Sequence, residues 1–448
     1  MSDVSNPTPA PEAKPVRPTF AEAWRFWLKL GFISFGGPAG QIAIMHEEVV
    51  ERRKWVDDAR FMHAWNFCTL LPGPEAQQLA TYLGWLLHGT WGGIVAGVLF
   101  VLPAAVLLWV LSWVYVTYGS VSWVAALFAG LKPAVVAIVA VAVWKIGKKA
   151  LGNAPRWMLA AAAFGALFFL KAPFPLVIAV AAWIGLRFQN AFQSTSKKDD
   201  PALLEAAARP TWGQSLRVLL MWLALWWVPV GALALWLGTA NVLVDQGVFF
   251  SKTAVVTFGG AYAVLPYVAQ QAVEQQWVTA PQMLDGLGLA ESTPGPLIMV
   301  LQFVGFLGAW VQADPLGPLS PLQSATLGAF ITTWVTFVPC FLWILLGAPY
   351  VEGLRQNKPI ACMLGAITAA VVGVVLNLAI WFAGQVLLPA TTGQGGLLPI
   401  GWTGHGLNLF ALLTALTLGV AMIRFKWEVT RVVVAGAAAG LVYKLIGF

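Results

Sequence analysis

The chain states one pattern twice. Lys29 stands five residues before Ser34, which opens the run Ser34-Phe35-Gly36-Gly37-Pro38; Lys252 stands five residues before Thr257, which opens Thr257-Phe258-Gly259-Gly260-Ala261. Each copy continues through a glutamate (Glu51, Glu274), a Trp-Val pair (Trp55-Val56, Trp277-Val278) and a Pro-Gly-Pro (Pro72-Gly73-Pro74, Pro294-Gly295-Pro296), with spacings that agree to within one residue. A Lys-Pro pair recurs further on, Lys132-Pro133 and Lys358-Pro359. A duplication on this scale restricts the fold to two related halves. In an apolar chain it is the construction of secondary transporters, which hold their substrate where the repeats meet.

The chain is apolar enough for that argument to apply. Hydrophobic residues make up 59% of it and charged residues 10%, with a mean hydropathy of +0.76. These values lie far from the soluble average and predict an all-α polytopic membrane protein whose first partner is the lipid bilayer. The 24 tryptophans suit a chain with many membrane interfaces. Cys68, Cys340 and Cys362 sit singly in apolar runs, so no disulfide, metal site or cofactor is read from them. The net charge of +7 is assigned to short loops that fix topology rather than to a nucleic-acid partner.

Thirteen apolar segments are expected: 20–45, 61–88, 91–117, 124–147, 157–171, 173–189, 215–238, 245–270, 282–310, 322–347, 359–389, 404–423 and 431–447. Residues 1–18, with Pro7, Pro9, Pro11, Pro15 and Pro18, read as a disordered cytoplasmic tail. Residues 19–189 form the first repeat, 190–214 a cytoplasmic linker, 215–238 an extra transmembrane helix and 239–448 the second repeat. One unpaired crossing between the copies turns the second upside down relative to the first.

Loop charge sets the orientation. Lys145, Lys148, Lys149 and Arg156 share one connection, Arg187 to Arg217 another, Arg355 and Lys358 a third, and Arg424, Lys426 and Arg431 a fourth. All lie on one side if the N-terminus is cytoplasmic. The cluster Arg52, Arg53, Lys54 and Arg60 joins them only if 20–45 and 61–88 are re-entrant hairpins broken at Phe-Gly-Gly and Pro-Gly-Pro. Thirteen full spans are the alternative. Broken helices at membrane depth are tolerated where their backbone is buried in protein or lines a wet cavity.

The breaks are the candidate site. Glycine permits the sharp turn and proline suits the first position of the helix that follows, so each break starts a helix whose free N–H groups and positive dipole end face an anion. The candidate substrate-binding residues are Lys29, Ser34, Phe35, Gly36, Gly37, Pro72, Gly73, Pro74 and Glu75 in the first copy. In the second they are Lys252, Thr257, Phe258, Gly259, Gly260, Thr293, Pro294, Gly295 and Pro296. Lys29 and Lys252 would supply positive charge, or else snorkel to the headgroups. Ser34 and Thr257 would add hydroxyl donors. Glu75 caps a helix or carries a proton, and the second copy places Glu291 before its Pro-Gly-Pro instead. Lys132 and Lys358, read as preceding prolines at helix starts, anchor an interface or line the pathway. His46, His63, His88 and His405 have no metal-type spacing and are structural.

Gly31-Phe-Ile-Ser-Phe35-Gly36-Gly37-Pro38, Trp55-Val-Asp57-Asp58 and Leu71-Pro72-Gly73-Pro74-Glu75-Ala76, with the second Phe258-Gly259-Gly260 and Thr293-Pro294-Gly295-Pro296, resemble the chromate ion transporter family. The resemblance covers nearly all of the chain outside the tail, linker and extra helix. It implies a multi-pass protein of the bacterial inner membrane that exports chromate and confers resistance, with two halves of opposite orientation. Chromate and sulfate are both tetrahedral dianions, so a sulfate carrier is the alternative and an anion channel a further one. Ala261 replaces Pro38 in the second copy. No ATP-binding glycine loop, haem-type histidine pair or cysteine cluster points to an enzyme. The oligomeric state is open, a homodimer included.

Overall fold

The computed structural model describes residues 17–35, 37–119, 121–192, 211–348, 358–388 and 407–446. Gly36, Arg355, His405, nearly all of the tail and most of the linker lie outside them. The described residues form helices and turns, with no strand among them. In chain order the helices are α1 (Phe20–Ile33), α2 (Gly37–His46), α3 (Asp58–Cys68), α4 (Glu75–Tyr118), α5 (Ser122–Ala150), α6 (Ala154–Phe168), α7 (Phe174–Arg187) and α8 (Gln189–Phe192). Then follow α9 (Trp212–Leu237), α10 (Val242–Val256), α11 (Ala261–Glu274), α12 (Ala280–Ser292), α13 (Val300–Val311), α14 (Pro321–Gly347), α15 (Lys358–Leu387), α16 (Leu409–Arg424) and α17 (Val429–Leu445). A π-helical turn, Glu47–Arg52, extends α2, and a 3-10 turn, Leu297–Met299, precedes α13. Five helices, α4, α5, α9, α14 and α15, are long and apolar enough to cross a membrane, so the chain is a multi-pass membrane protein.

α4 is two helices rather than one. Its 44 residues would reach ~66 Å, twice the hydrocarbon thickness. The backbone leaves helical geometry at His88 (φ −138°, ψ 24°) and Gly89 (φ 63°, ψ −156°). Beyond that corner Gly92 and Ala96 face Gly84, and Gly97 faces Gln77 and Thr81, so residues 75–87 lie antiparallel against 90–118. Glycines on both arms let the backbones approach, the usual means of packing helices in lipid.

The segments that carry the motifs fold back on themselves. Were α1 and α2 one continuous path, Trp55 would lie more than ~30 Å from Phe26 in the middle of α1. Their rings are 5.2 Å apart, and the Arg53 guanidinium stands 4.9 Å from the Phe26 ring. In the second copy Trp277 sits 5.4 Å from Phe249 and 5.8 Å from Phe250, half-way along α10. The far ends of the hairpins also meet. His88 Nε2, closing the second hairpin of the first copy, hydrogen-bonds to Pro18 O at the start of the first hairpin at 3.0 Å. Gln312 Nε2, closing the second hairpin of the second copy, donates to Gln275 O just ahead of that hairpin at 2.8 Å. The broken segments are therefore hairpins, not continuous spans.

The succession α1, α2, α3, two arms of α4, α5, α6, α7 is matched by α10, α11, α12, α13, α14, α15, α16, α17, with α9 between. The long arm of α4 runs antiparallel to its counterpart α14, since Trp109 Nε1 donates to Thr326 Oγ1 at 3.1 Å while Gly97 faces Phe341. The halves also exchange partners: α5 packs on α16 and α17, and α15 on α6 and α7. Gly130 meets Gly436 and Gly440 in the first of these contacts, and Gly373 meets Ala160 in the second.

The basic loops gather at one end. Asn153 Nδ2 donates to Ala191 O at 2.7 Å, and Cys362 Sγ to Gln189 O at 3.4 Å. Lys444 Nζ donates to Ser122 O at 2.9 Å, so α17 runs antiparallel to α5 and its start, with Arg431 and the preceding Arg424, points toward the end of α5 that holds Lys148 and Lys149. The chain turns back at Gly119, so the α4 corner lies toward the same end as the close of α5, and His88 at that corner meets the start of α1, on which Arg53 packs through Phe26. One expectation is corrected. Lys132-Pro133 does not start a helix but lies inside α5, which begins at Ser122; the chain turns where Gly119 ends α4, and Pro133 is accommodated within the bundle. Lys358-Pro359 does open α15 as described.

Single cysteines in place of Arg53 and Gln275, in a cysteine-free background, are expected to react with membrane-impermeant maleimide from opposite faces of the membrane. Labelling of both from one face contradicts the hairpins.

Candidate functional site

Each break turns on glycines in the left-handed region: Gly37 (φ 68°), Gly73 (124°), Gly259 (80°), Gly260 (90°) and Gly295 (105°). The breaks of the two copies are joined reciprocally. Gly73 N–H donates to Thr257 O at 2.7 Å, and Gly295 N–H donates to Ser34 O at 2.8 Å. The Pro-Gly-Pro turn of each copy is thus bonded to the Phe-Gly-Gly turn of the other. Packing repeats the exchange. A Cβ on Gly73 would press on Cys340, and one on Gly295 on Ala104, each the residue after an in-helix proline of the opposite copy, Pro339 and Pro103.

The helix starts differ by position. At the outer ends of the hairpins, α1, α3, α10 and α12 are capped by Thr19, Asp57, Asn241 and Thr279, whose side chains accept from the backbone N–H of Glu22, Arg60, Leu243 and Gln282. At the breaks, α4 follows Pro74, α11 follows Gly260 and the 3-10 turn follows Pro296, none with a side-chain cap. The first N–H groups of an α-helix have no partner inside it, so the inner starts keep donors that the outer starts have satisfied.

The hydroxyls behave otherwise than expected. Ser34 Oγ donates to Leu30 O and Thr257 Oγ1 to Thr253 O, both at 2.6 Å, and Thr293 Oγ1 donates to Ala290 O at 3.2 Å. A buried hydroxyl at the end of a helix answers the carbonyl one turn back, and its proton is then committed. The donors that these turns retain are backbone N–H groups at the helix starts.

Gly73, Pro74, Thr257, Gly260, Thr293, Pro294, Gly295 and Pro296 are buried, Phe35, Gly37, Pro72, Glu75 and Phe258 half-buried, and Gly259 exposed. Lys29 and Lys252 lie on exposed faces of α1 and α10, opposite Trp27 and Leu30 in the first case, and neither makes an ion pair among the described residues. A cleft of about 420 Å³ opens between α2 and α3, lined by Ile42, His46, Glu51, Phe61 and Trp65. No group of three or more His, Cys, Asp or Glu side chains is arranged to hold a metal among the described residues.

Several polar contacts escaped the sequence reading. Gln41 Nε2 bridges Gly295 O at 2.5 Å and Ser34 O at 3.3 Å, and Gln78 Nε2 donates to Pro72 O at 2.7 Å. Both glutamines are fully buried. Lys132 Nζ lies 3.6 Å from Asp285 Oδ1, while Tyr115 OH donates to Asp285 Oδ2 at 2.9 Å. Tyr262 OH donates to Glu291 Oε1. The available signal was an acid or amide inside an apolar run, which is retained in membranes for a partner or a function.

Replacing Gly73 or Gly295 by alanine is expected to lower stability by ~1–3 kcal/mol each, from the backbone conformation alone. Alanine at Gly165, a helical position where an added Cβ meets nothing within 4 Å, is the neutral control. Thermal unfolding of the detergent-purified variants measures the difference.

The family model for the chromate transporter matches residues 21–186 and 244–441, one match over each half. Among curated proteins the chain is 28% identical over 441 residues to a chromate transport protein of Cupriavidus metallidurans, covering 94% of this chain and 92% of that one. It is 32% identical to a chromate transport protein of Pseudomonas aeruginosa over 374 residues, 81% of each. It is 28% identical to a probable chromate transport protein of Synechococcus elongatus, over 84% of this chain and 88% of the relative. No solved structure matches. With one family match over each half and a relative 32% identical over 81% of both chains, the chain belongs to the chromate transporter family.

Proposed function

We propose that this protein is a secondary transporter that exports chromate, a tetrahedral dianion, from the cytoplasm through a site formed by the four helix breaks. The observation that carries this is the contrast between capped outer starts and uncapped inner starts of the same hairpins. Helix N-termini buried in low dielectric attract a dianion through their N–H groups and dipoles without a fixed cation. The two halves act as inverted repeats, residues 19–189 and 239–448, in a bacterial inner membrane. The antiparallel run of α4 and α14 supports that reading.

The end rich in Lys and Arg is placed in the cytoplasm, with the N-terminus. The membrane potential then favours export: at 2.3 kcal/mol per charge per 100 mV, a dianion leaving an inside-negative cell gains ~4.6 kcal/mol. Export of this kind confers chromate resistance. Lys29 and Lys252, exposed beside the breaks, line the approach and raise the local anion concentration rather than fixing the ion. Backbone donors read shape and charge, which sulfate shares, so sulfate transport is the second reading.

Labelled chromate is expected to accumulate in everted membrane vesicles carrying the protein, to do so more slowly once the potential is collapsed, and to be displaced by excess sulfate. Lys29→Ala and Lys252→Ala should each lower that uptake, with Lys→Arg restoring part of it. Normal uptake by both alanine variants would assign the lysines to the headgroups. Faster sulfate entry into intact cells with unchanged chromate accumulation would replace the exporter by an oxyanion importer.

A further inference from the structure

We propose that Glu291, hydrogen-bonded by Tyr262 at the breaks of the second half, takes up one proton for each oxyanion that binds. The inference rests on the transport reading above and adds its coupling chemistry. Glu291 is 5% exposed and lies on the last turn of α12, three residues before Pro294. Tyr262 is the second residue of α11, which starts at the Gly260 break. The pair therefore ties the end of one broken helix to the start of the other, beside both turns of the second half.

Among the described residues no cation pairs with this carboxyl. Lys132, on α5, is taken by Asp285, which precedes Glu291 on α12 by ~9 Å of helix rise. Tyr115, on α4, also turns to Asp285. On α17, Lys444 is bonded to Ser122 O and Arg431 sits at the opposite end of the helix. α13 contributes the uncharged Gln302, and the ionisable residues of α15, Lys358 and Cys362, stand at its start, by the basic end. Besides Tyr262, α11 carries Tyr267 and Glu274, the latter bonded by Gln270 and Gln271. Glu75, at the α4 break, is a second carboxyl and not a counter-charge. Among the described residues Tyr262 is the group that hydrogen-bonds the Glu291 side chain.

A buried carboxylate without a counter-charge is unfavourable, and a dianion arriving at the adjacent breaks makes it more so. Binding of the anion therefore draws a proton from solution onto a Glu291 oxygen, and loss of the anion releases it; linkage makes the effect reciprocal. Tyr262 suits both states, donating to the carboxylate and accepting from the acid. A dianion that carries one proton moves one net negative charge instead of two.

The test is calorimetric titration of the purified full chain in detergent with sulfate, across a pH series and in buffers of different protonation enthalpy. The unmodified protein should take up about one proton per sulfate on the alkaline limb, where its Kd rises about tenfold per pH unit. Glu291→Gln should bind sulfate without proton uptake and without that slope. Tyr262→Phe should keep the uptake but move the rise in Kd to higher pH, because the donor that stabilises the carboxylate is gone. Unchanged uptake in Glu291→Gln, or an unshifted profile in Tyr262→Phe should Glu291→Gln fail to fold, overturns the proposal while leaving the oxyanion site intact. Absence of binding to the unmodified protein, by sulfate and by chromate, overturns the transport reading and this one together.

Discussion

The structure depends on two hydrogen bonds, Gly73 N–H to Thr257 O and Gly295 N–H to Ser34 O. A helix broken inside a membrane exposes backbone groups that lipid cannot satisfy, and each left unpaired costs several kcal/mol. Here the break in each half is answered by the break in the other. Neither half could present its turns alone without leaving those groups open. The same dependence appears in the packing, where each Pro-Gly-Pro glycine rests on the long helix of the opposite half and α5 and α15 exchange partners.

That reciprocity explains which atoms remain for a ligand. The carbonyls at the ends of α1 and α10 are used across the halves, and the hydroxyls of Ser34 and Thr257 are turned back into their own helices. What the breaks leave open are N–H groups at the starts of α4 and α11. The proposed site is thus positive by dipole rather than by formal charge, which suits an ion that must also leave. A fixed buried lysine would hold a dianion more tightly but would need its own compensation in the empty state, as Lys132 has in Asp285.

The helices were legible because the apolar segments are long and the breaks carry Gly and Pro, whose backbone preferences are local. The boundary between segments 61–88 and 91–117 fell at the corner of α4, even though His88-Gly89 lacks proline. Loop charge anticipated the hairpins, since Arg52 to Arg60 joins the other basic loops only if the chain folds back. The interior of the site was less legible. Ser34 and Thr257 read as ligand donors because sequence does not tell where a hydroxyl proton points. Lys132-Pro133 read as a helix start because Lys358-Pro359 is one, and a matched dipeptide does not guarantee a matched position. Asp285, Tyr262 and Gln41 act through contacts between segments far apart in the chain, and no spacing rule connects them.

The most direct test of a site built from helix starts is to locate the ion. Crystals grown with chromate and measured at the chromium absorption edge would give an anomalous peak at the substrate. The account predicts a peak between the halves, within hydrogen-bonding distance of backbone nitrogens at the starts of α2, α4 or α11. A peak in the cleft beside His46 and Trp65, or on the exposed faces at Lys29 and Lys252 with the breaks unoccupied, would contradict it.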